Sequence, residues 1–324
     1  DSTFPTYFPT NDSVILQNAD ATADVTQAGK QNYSTITQNI GATGSTATVN
    51  QTNDFGDGFE DINTSEIIQS GFAVSAEVSQ DGTDLRSKVT QTGAFNNAEV
   101  TQTGSDNEST ISQSATALSN AFVNQSGTGN ASTITQLPIG GHQANVRQGG
   151  NSNESIILQS GLANETGTET ESGVTQLGSN GFSEVTQAGG FQSAFVEQLS
   201  TSVNARSVID QGRNALFGGG FDQVAEVTQD GTDSDSFIRQ RGASQTAFVN
   251  QSGTNNESDI TQGGNFGSDN LADVTQSGTD GISIVTQTGN DNTATLLQSG
   301  VTNESYITQN GSGNTATVTQ GPGM

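Results

Sequence analysis

The sequence predicts an all-β fold: a β-solenoid of about 13 strand–turn–strand repeats forming two facing, parallel, in-register sheets of cross-β, amyloid-like type. Three observations predict it. A glutamine recurs at 26 positions from Gln17 to Gln320, and 16 of the 25 intervals between them are 11 residues. Two positions before each glutamine stands Ile or Val, with Leu296 the one exception, and four before it stands Ser or Ala without exception. Taken in chain order, the Ser/Ala position alternates from Ser13 and Ala23 to Ser305 and Ala316, with a single lapse at Ser172. Self-similarity at a fixed short period marks stacked repeat units.

Each strand follows from parity. Counting the glutamine as position 0, positions −6, −4, −2 and 0 project from one face of an extended chain. The other parity carries Glu66, Lys88, Glu99, Asp273 and many Thr. Unpaired charges are too costly to bury, so that face is outside. Each turn follows from glycine: it stands two after the glutamine in 18 units, within segments such as SGTGN at 126–130. Those residues accept the positive φ of tight turns. A helix fails on both period and propensity, since Gly and Asn cluster every 11 residues among β-branched positions.

The Ser/Ala alternation makes the true repeat two strands long and present 13 times. One sheet stacks Ser-type strands and the other Ala-type strands, about 10 Å apart, and thirteen layers give a column on the order of 60 Å. Like then stacks on like. Side-chain amide ladders are expected at Gln17, Gln27, Gln38, Gln91, Gln102, Gln113, Gln298, Gln309 and Gln320, and at Asn32, Asn107, Asn130, Asn303 and Asn314. Ile36, Val100, Ile111, Ile307 and Val318 represent the apolar seam.

Composition alone points elsewhere. Over 324 residues only 29% are hydrophobic and the formal net charge is −26, on the border where disorder is expected. Stacking must therefore replace bulk burial. With no Cys and only His142, the chain lacks disulfides, thiolate metal sites and any nucleophile–base constellation, and no cofactor is expected. Eight Lys and Arg against 34 Asp and Glu argue against nucleic acid and anionic membrane. No apolar run approaches the roughly 20 residues of a membrane helix, so no membrane insertion is expected. No signal peptide is visible, which suits a mature or a cytosolic chain.

The pattern Gln-x-Gly-x-x-Asn-x-Ala-x-x-x-Gln from Gln91 to Gln102, with its counterpart across Gln298 to Gln320, resembles the curlin repeat of curli subunits. Those are secreted bacterial proteins that build extracellular amyloid fibres in biofilm matrix. The resemblance spans residues 11–320. It implies export through an outer-membrane secretion pore as an unfolded chain, self-assembly into a homopolymeric fibre, a nucleator subunit as partner, and roles in adhesion and surface colonisation. The chain departs from the family's major subunit in having more repeats, in preferring Asn at −6 where Ser is usual, and in opening on DSTFPTYFPT rather than a longer Gly- and Gln-rich segment.

The domain reading is an N-terminal segment at 1–10, repeats at 11–320 and a tail at 321–324. Neither end of the repeats carries an amphipathic helix, a proline-rich plug or a cluster of Lys, the devices that guard solenoid edges. Head-to-tail docking would set Asn11, Ser13, Ile15, Gln17, Ala23, Val25 and Gln27 of one copy against Asn303, Ser305, Ile307, Gln309, Asn314, Ala316, Val318 and Gln320 of another, a non-closing contact that makes a filament.

Four long inserts, at 52–66, 160–172, 212–225 and 263–272, are expected between strands as arcs bulged at the rim. The first also offers a divalent-cation reading through Asp54, Asp57, Glu60 and Asp61, without the spacing of known calcium loops. Phe55, Phe59, Phe217, Phe221 and Phe266 in these inserts are expected to pack on the rim. His142 stands at an inward −6 position as a polar substitute. The Asn-x-Ser/Thr triplets at Asn32, Asn107, Asn153, Asn256 and Asn303 arise from the repeat itself. Outward Thr pairs (Thr35 with Thr37, Thr133 with Thr135, Thr317 with Thr319) suggest an ice-binding array, but Glu66 and Lys88 break the lattice. Three classes of function follow: a fibre-forming structural subunit, favoured; a non-polymerising solenoid that binds ice, cations or a surface; and a solenoid enzyme, disfavoured because its charges are scattered rather than convergent.

Overall fold

The computed structural model describes residues 11–53, 61–114, 118–138, 141–166, 173–212, 221–263 and 268–321. Among them every regular element is a β-strand. Alternate strands of the chain stack on one another, so each layer places one strand in each of two sheets. One sheet of 13 strands runs from Asp12–Gln17 through Asn32–Gln38 and Asn63–Gln69 to Glu304–Ser312; the other runs from Thr22–Gly29 through Thr46–Asn53 to Thr315–Gln320. All pairings are parallel and in register: Ile36 lies on Ile67, Ser34 on Ser65 and Gln38 on Gln69. The expected two-sheet β-solenoid is the observed fold.

The period-2 pattern produces the burial. In Asn63–Gln69 buried and half-buried residues alternate, with Asn63, Ser65, Ile67 and Gln69 inside. The −2 residues of both sheets and the Ala residues at −4 form one continuous apolar cluster from Ile36 to Ile307. Its layers are matched in volume. The Ser-type sheet carries mainly Ile at −2, as at Ile36, Ile111 and Ile238, whereas the Ala-type sheet carries mainly Val, as at Val49, Val100 and Val249. The two strands of a layer run in opposite directions, which brings −2 of one sheet level with −4 of the other. Large Ile thus meets small Ala and Val meets Ser, the size complementarity that a close-packed interior requires.

The turns need two backbone devices. Where a glycine stands two after the glutamine it commonly sits against the backbone one layer on; a Cβ at Gly104 would stand 2.2 Å from the Gly127 carbonyl oxygen. In most described layers the residue seven before the glutamine takes a left-handed φ, as at Asp84 (φ 52), Asp106 (φ 56), Asp233 (φ 53) and Asp280 (φ 56), although Asp20 and Ile62 do not. Asp and Asn tolerate that region better than other non-glycine residues. Arc residues also pair between layers, as Ser105 does with Thr128 and Thr128 with Asn151, so the ladder continues around the corner.

One expectation is corrected. The insert at 160–172 does not lie between strands. The turn after Gln159 has ordinary length, Glu165–Thr166 already pairs with Gln143 and Ala144, and the chain re-enters the same layer at Val174–Gln176 on Val146 to Gln148. The extra residues therefore interrupt a strand of the Ala-type sheet. Thr166, not Ser172, stands in register with Ala144, so the lapse in the alternation comes from counting back from Gln176 across the insertion. Ser172 lies outside the described residues. The inserts after Asn53, Gly212 and Gly263 do fall between strands.

Gly127→Ala, at φ 97 with a Cβ that would meet the Gly150 carbonyl at 2.0 Å, should destabilise the folded chain. The expected loss in urea unfolding is about 1–3 kcal/mol. Gly313→Ala, at φ 70 with nothing within 4 Å, should lose only the conformational part, about 1 kcal/mol.

Candidate functional site: the amide columns and the end layers

The residues that repeat most strictly build two columns of buried amides. In the Ser-type sheet Gln17 donates through Nε2 to Gln38 Oε1 at 2.8 Å, Gln38 to Gln69 at 2.8 Å, Gln91 to Gln113 at 2.9 Å, and so on to Gln287 and Gln309 at 2.8 Å. In the Ala-type sheet Gln27 donates to Gln51 at 2.8 Å, Gln102 to Gln125 at 2.7 Å and Gln298 to Gln320 at 2.7 Å. Every step of both columns runs in the same sense, with the earlier layer donating and the later one accepting.

The second hydrogen of each amide crosses the layer. Gln102 Nε2 reaches the Arg86 carbonyl in the facing sheet at 3.0 Å and the Asn107 carbonyl in the next turn at 3.1 Å. Gln113 makes the same contacts with Asn97 at 2.9 Å and Ser119 at 3.0 Å. One side chain thereby joins layer to layer and sheet to sheet. Its donors and its acceptor are paired, so its burial is not penalised.

The −6 column works in the opposite sense. Asn107 Oδ1 accepts the Asn130 backbone N–H at 2.9 Å, Asn130 accepts that of Asn153 at 3.1 Å, and Asn292 accepts that of Asn314 at 3.1 Å. Asn11 accepts from Asn32 in the same way at 3.1 Å. In these steps the acceptor serves the backbone of the following layer, so Leu85 and Gly181 can follow Asn63 and Asn153 without loss, whereas Asn32 Oδ1 accepts the Asn63 side-chain amide instead. The Asn side chains do bond their own kind at Asn32–Asn11, Asn130–Asn107 and Asn314–Asn292. The column is discontinuous, however. Asn303 follows Gly281 and donates to the Ser299 carbonyl at 2.8 Å.

The apolar positions Ile36, Val100 and Ile111 are fully buried, and Ile307 is nearly so. Val25, Val318, Ala23 and Ala316 are half-buried against the end of the same cluster. The end layers are the most open. Asp12–Gln17 is exposed throughout, including Ser13, Ile15 and Gln17, and Thr315–Gln320 alternates exposed with half-buried. Ser305 and Gln309 in the last Ser-type strand are each 6% exposed.

His142 is buried at −6, where its Nδ1 accepts the Asn164 N–H at 3.3 Å and its own N–H reaches Ser119 Oγ. It fills the place of an Asn. Burial pushes its pKa below the usual 6.5. Asn32, Asn107, Asn153 and Asn256 are buried, as a structural origin of their triplets requires. Asp54, Asp57, Glu60, Phe55, Phe59, Phe217 and Phe266 lie outside the described residues. Asp61 accepts through its backbone carbonyl from Asn53 Nδ2, and Phe221 is exposed on the rim beside Gly190 and Ala243. No group of carboxylates or His fit to hold a metal ion occurs among the described residues.

Outside, both faces carry acidic residues, and most of the described cations stand on the Ser-type face, with Arg147 on the other. The Ser-type face carries Arg86, Lys88, Arg206, Arg239 and Arg241, with ion pairs Lys88–Glu66 at 2.8 Å and Arg241–Asp210 at 2.6 Å. Exposed pairs of this kind add little stability. On the Ala-type face Glu77 stacks directly on Glu99. Burial raises the pKa of Asp84, where Asp106 and Asp61 add to the effect, and burial also raises that of Asp259.

Sequence reasoning missed three features: the single direction of the amide columns, the Ile/Val division between sheets, and the left-handed position at −7. The second was visible in the residue types, and the frequent Asp and Asn at −7 signalled the third. Hydrogen-bond direction has no sequence signal at all. Four segments, at 88–114, 231–264, 267–296 and 289–321, match the curlin associated repeat. No curated protein matches the chain.

Gln136→Leu should leave the Gln113 amide and the Gln159 carbonyl oxygen without their partners in a dry interior. The expected loss is about 2–4 kcal/mol in urea unfolding. His142→Asn should remove a pH dependence. The folded chain holds His142 neutral while the unfolded chain protonates it near 6.5, so the wild type loses stability as pH falls from about 6.5 toward the lower folded value. The variant should not lose stability in that window, as read by thermal unfolding at pH 7 and pH 5.5.

Proposed function

Because the chain is a curlin-repeat protein, we propose that it is the structural subunit of an extracellular amyloid fibre, growing head to tail through its end layers in the matrix of a biofilm. The curlin-repeat family is a family of extracellular structural subunits rather than enzymes, and the β-solenoid with its Gln and Asn ladders fits that class. The observation that carries the reading is the sameness of the end layers and the interior ones. Asp12–Gln17 and Thr22–Gly29 pair forward with the same register that Glu304–Ser312 and Thr315–Gln320 use backward. A second copy placed beyond either end continues both sheets, the two amide columns and the apolar seam. Export through an outer-membrane pore, nucleation by a partner subunit, and roles in adhesion and surface colonisation complete the proposal. No helix among the described residues is long and apolar enough to cross a membrane.

The outer charge sets the conditions. A chain of net charge −26 repels its own copies, and salt or protons relieve that repulsion. Asp84 and Asp259 act in the same direction: their raised values mean that the folded state takes up protons before the unfolded one, so stability rises as pH falls through those values.

Purified, initially unfolded protein should form unbranched filaments in electron micrographs, with a meridional reflection near 4.7–4.8 Å in fibre diffraction. A monomer that persists at every concentration would overturn the proposal in favour of a solenoid that binds ice, cations or a surface. Growth followed by an amyloid-binding dye should quicken with added salt and as pH is lowered from 7 toward the isoelectric value of about 4.1. Rates that stay flat or fall under both conditions would count against it.

A further inference from the structure

The outward sides of the two sheets differ in kind. At the outward positions −5, −3 and −1, the Ser-type strands carry Val, Ile, Leu, Phe or Tyr 12 times, as at Ile156, Leu158, Phe182 and Phe237, and the Ala-type strands 6 times. The Ala-type sheet is also interrupted between Thr166 and Val174, whereas the Ser-type sheet is unbroken. Charge on the Ser-type face is placed unevenly. Only its fourth strand, Arg86–Gln91, carries cations at both −5 and −3, namely Arg86 and Lys88. Only its eleventh, Glu257–Gln262, carries carboxylates at both, Glu257 and Asp259. Lys88 pairs with Glu66 at 2.8 Å, but Arg86 and Glu257 have no ion pair among the described residues. Arg86 and Lys88 also line an outward groove of about 420 Å³ between these two columns, which leaves room for carboxylates arriving from a facing sheet.

We propose that the Ser-type face is a pairing surface for a second copy of this chain, packed face to face with its layers in reverse order. The twofold axis lies along the strands, midway between Glu154–Leu162 and Phe182–Gly190, the seventh and eighth strands of the sheet. Rotation about it sets the fourth strand of one copy on the eleventh of the other, column on column. Arg86 then meets Glu257, Lys88 meets Asp259, and symmetry repeats both, so the contact is isologous. Near the axis Glu154 of the second copy arrives over Phe182, whose ring centroid lies 5.6 Å from the Arg206 guanidinium. Glu108 faces Asp235, and each has an arginine beside it in its own column, Arg86 and Arg206. The eight layers from the fourth strand to the eleventh, at ~4.8 Å each and ~20 Å across, cover roughly 750 Å² on each copy, the size of a standard stable interface. Self-complementarity singles out a second copy as the occupant, because one face offers both the cationic strand and its acidic counterpart. The apolar residues supply affinity, and the charges select the register. The pairing needs only the folded column; within a fibre it sets two filaments side by side with opposite polarity.

The test reverses charges on the full chain. Arg86→Glu with Lys88→Glu, and separately Glu257→Lys with Asp259→Lys, should each raise the dissociation constant for pairing at least roughly tenfold. The two reversals combined restore the match at the wild-type net charge and should recover pairing to within about threefold. Glu77→Lys with Glu99→Lys makes the same change of charge as the second reversal, but on the Ala-type face, and should leave pairing unchanged. Sedimentation of freshly folded chain reads dimer against monomer, so pairing is decided even if no fibre ever forms. In filaments the readout is mass per length: about 11 kDa per nm for paired columns of this 33.2 kDa chain, against about 5 for single ones. Folded monomers or single columns in wild type would overturn the proposal. So would paired columns in either reversal, a combined variant that stays single, or an Ala-face variant that separates. Hydrogen exchange of the Ile134 and Val146 amides checks folding. Should the first reversal fail that check, Arg86→Gln with Lys88→Gln takes its place with the same expectation.

Discussion

A buried glutamine amide is the interaction on which the rest of this structure depends. A primary amide taken out of water must find partners for two N–H groups and a carbonyl, or cost several kcal/mol. Here the Gln102 N–H groups reach the next layer, the facing sheet and the following turn, and its carbonyl accepts from Gln80 in the preceding layer. Each partner fixes a coordinate. The Gln125 oxygen fixes the stacking distance, the Arg86 carbonyl fixes the separation of the sheets, and the Asn107 carbonyl fixes the course of the turn. A position with these demands tolerates no slip of register, and a one-residue slip would also turn every inward side chain outward.

The remaining features follow from the geometry that the amides impose. Sheets held so close leave room for Ile against Ala and Val against Ser, but not for two large residues at the same level. Layers held so close leave no room for a Cβ at Gly104 or Gly127. The hydroxyls of Ser65, Ser87, Ser109 and Ser132 are buried without a hydrogen-bond partner, whereas Ser283 reaches Ser258 at 3.2 Å. These serines contribute small size at −4, at some cost in unsatisfied polarity. Disorder-like composition and a rigid column are reconciled in this way. Conformational entropy is offset by polar and backbone pairing repeated along the stack and by a thin apolar seam, not by a bulk core.

Much of this was open to reading before any coordinates. The interval of 11 between glutamines, the parity of Ile67 with Gln69, and the alternation of Ser65 with Ala76 define strand, inward face and two-sheet stacking from residue types alone. They do so because identical side chains at identical spacings can satisfy one another only in register. The failure at 160–172 is equally physical. A count taken back from Gln176 assumes an unbroken strand, and a parallel layer held by neighbours on both sides allows the chain to leave after Thr166 and return at Gly173 without losing its place. Asn303 shows the same limit. Its position matched the ladder, but its stacking neighbour is Gly281, two strands earlier in the chain.

The sequence by itself determined the repeat, the inward set of side chains and the stacking of like on like, since these depend on spacing and residue type along one chain. Only the tertiary structure decided which way the amides point, which glycines lie against a neighbouring carbonyl, and where an insertion enters the layer. A glutamine has the same donors and acceptor whichever way it faces. Its direction is chosen by the carbonyls of the facing sheet, and those are brought within reach only when the solenoid is closed.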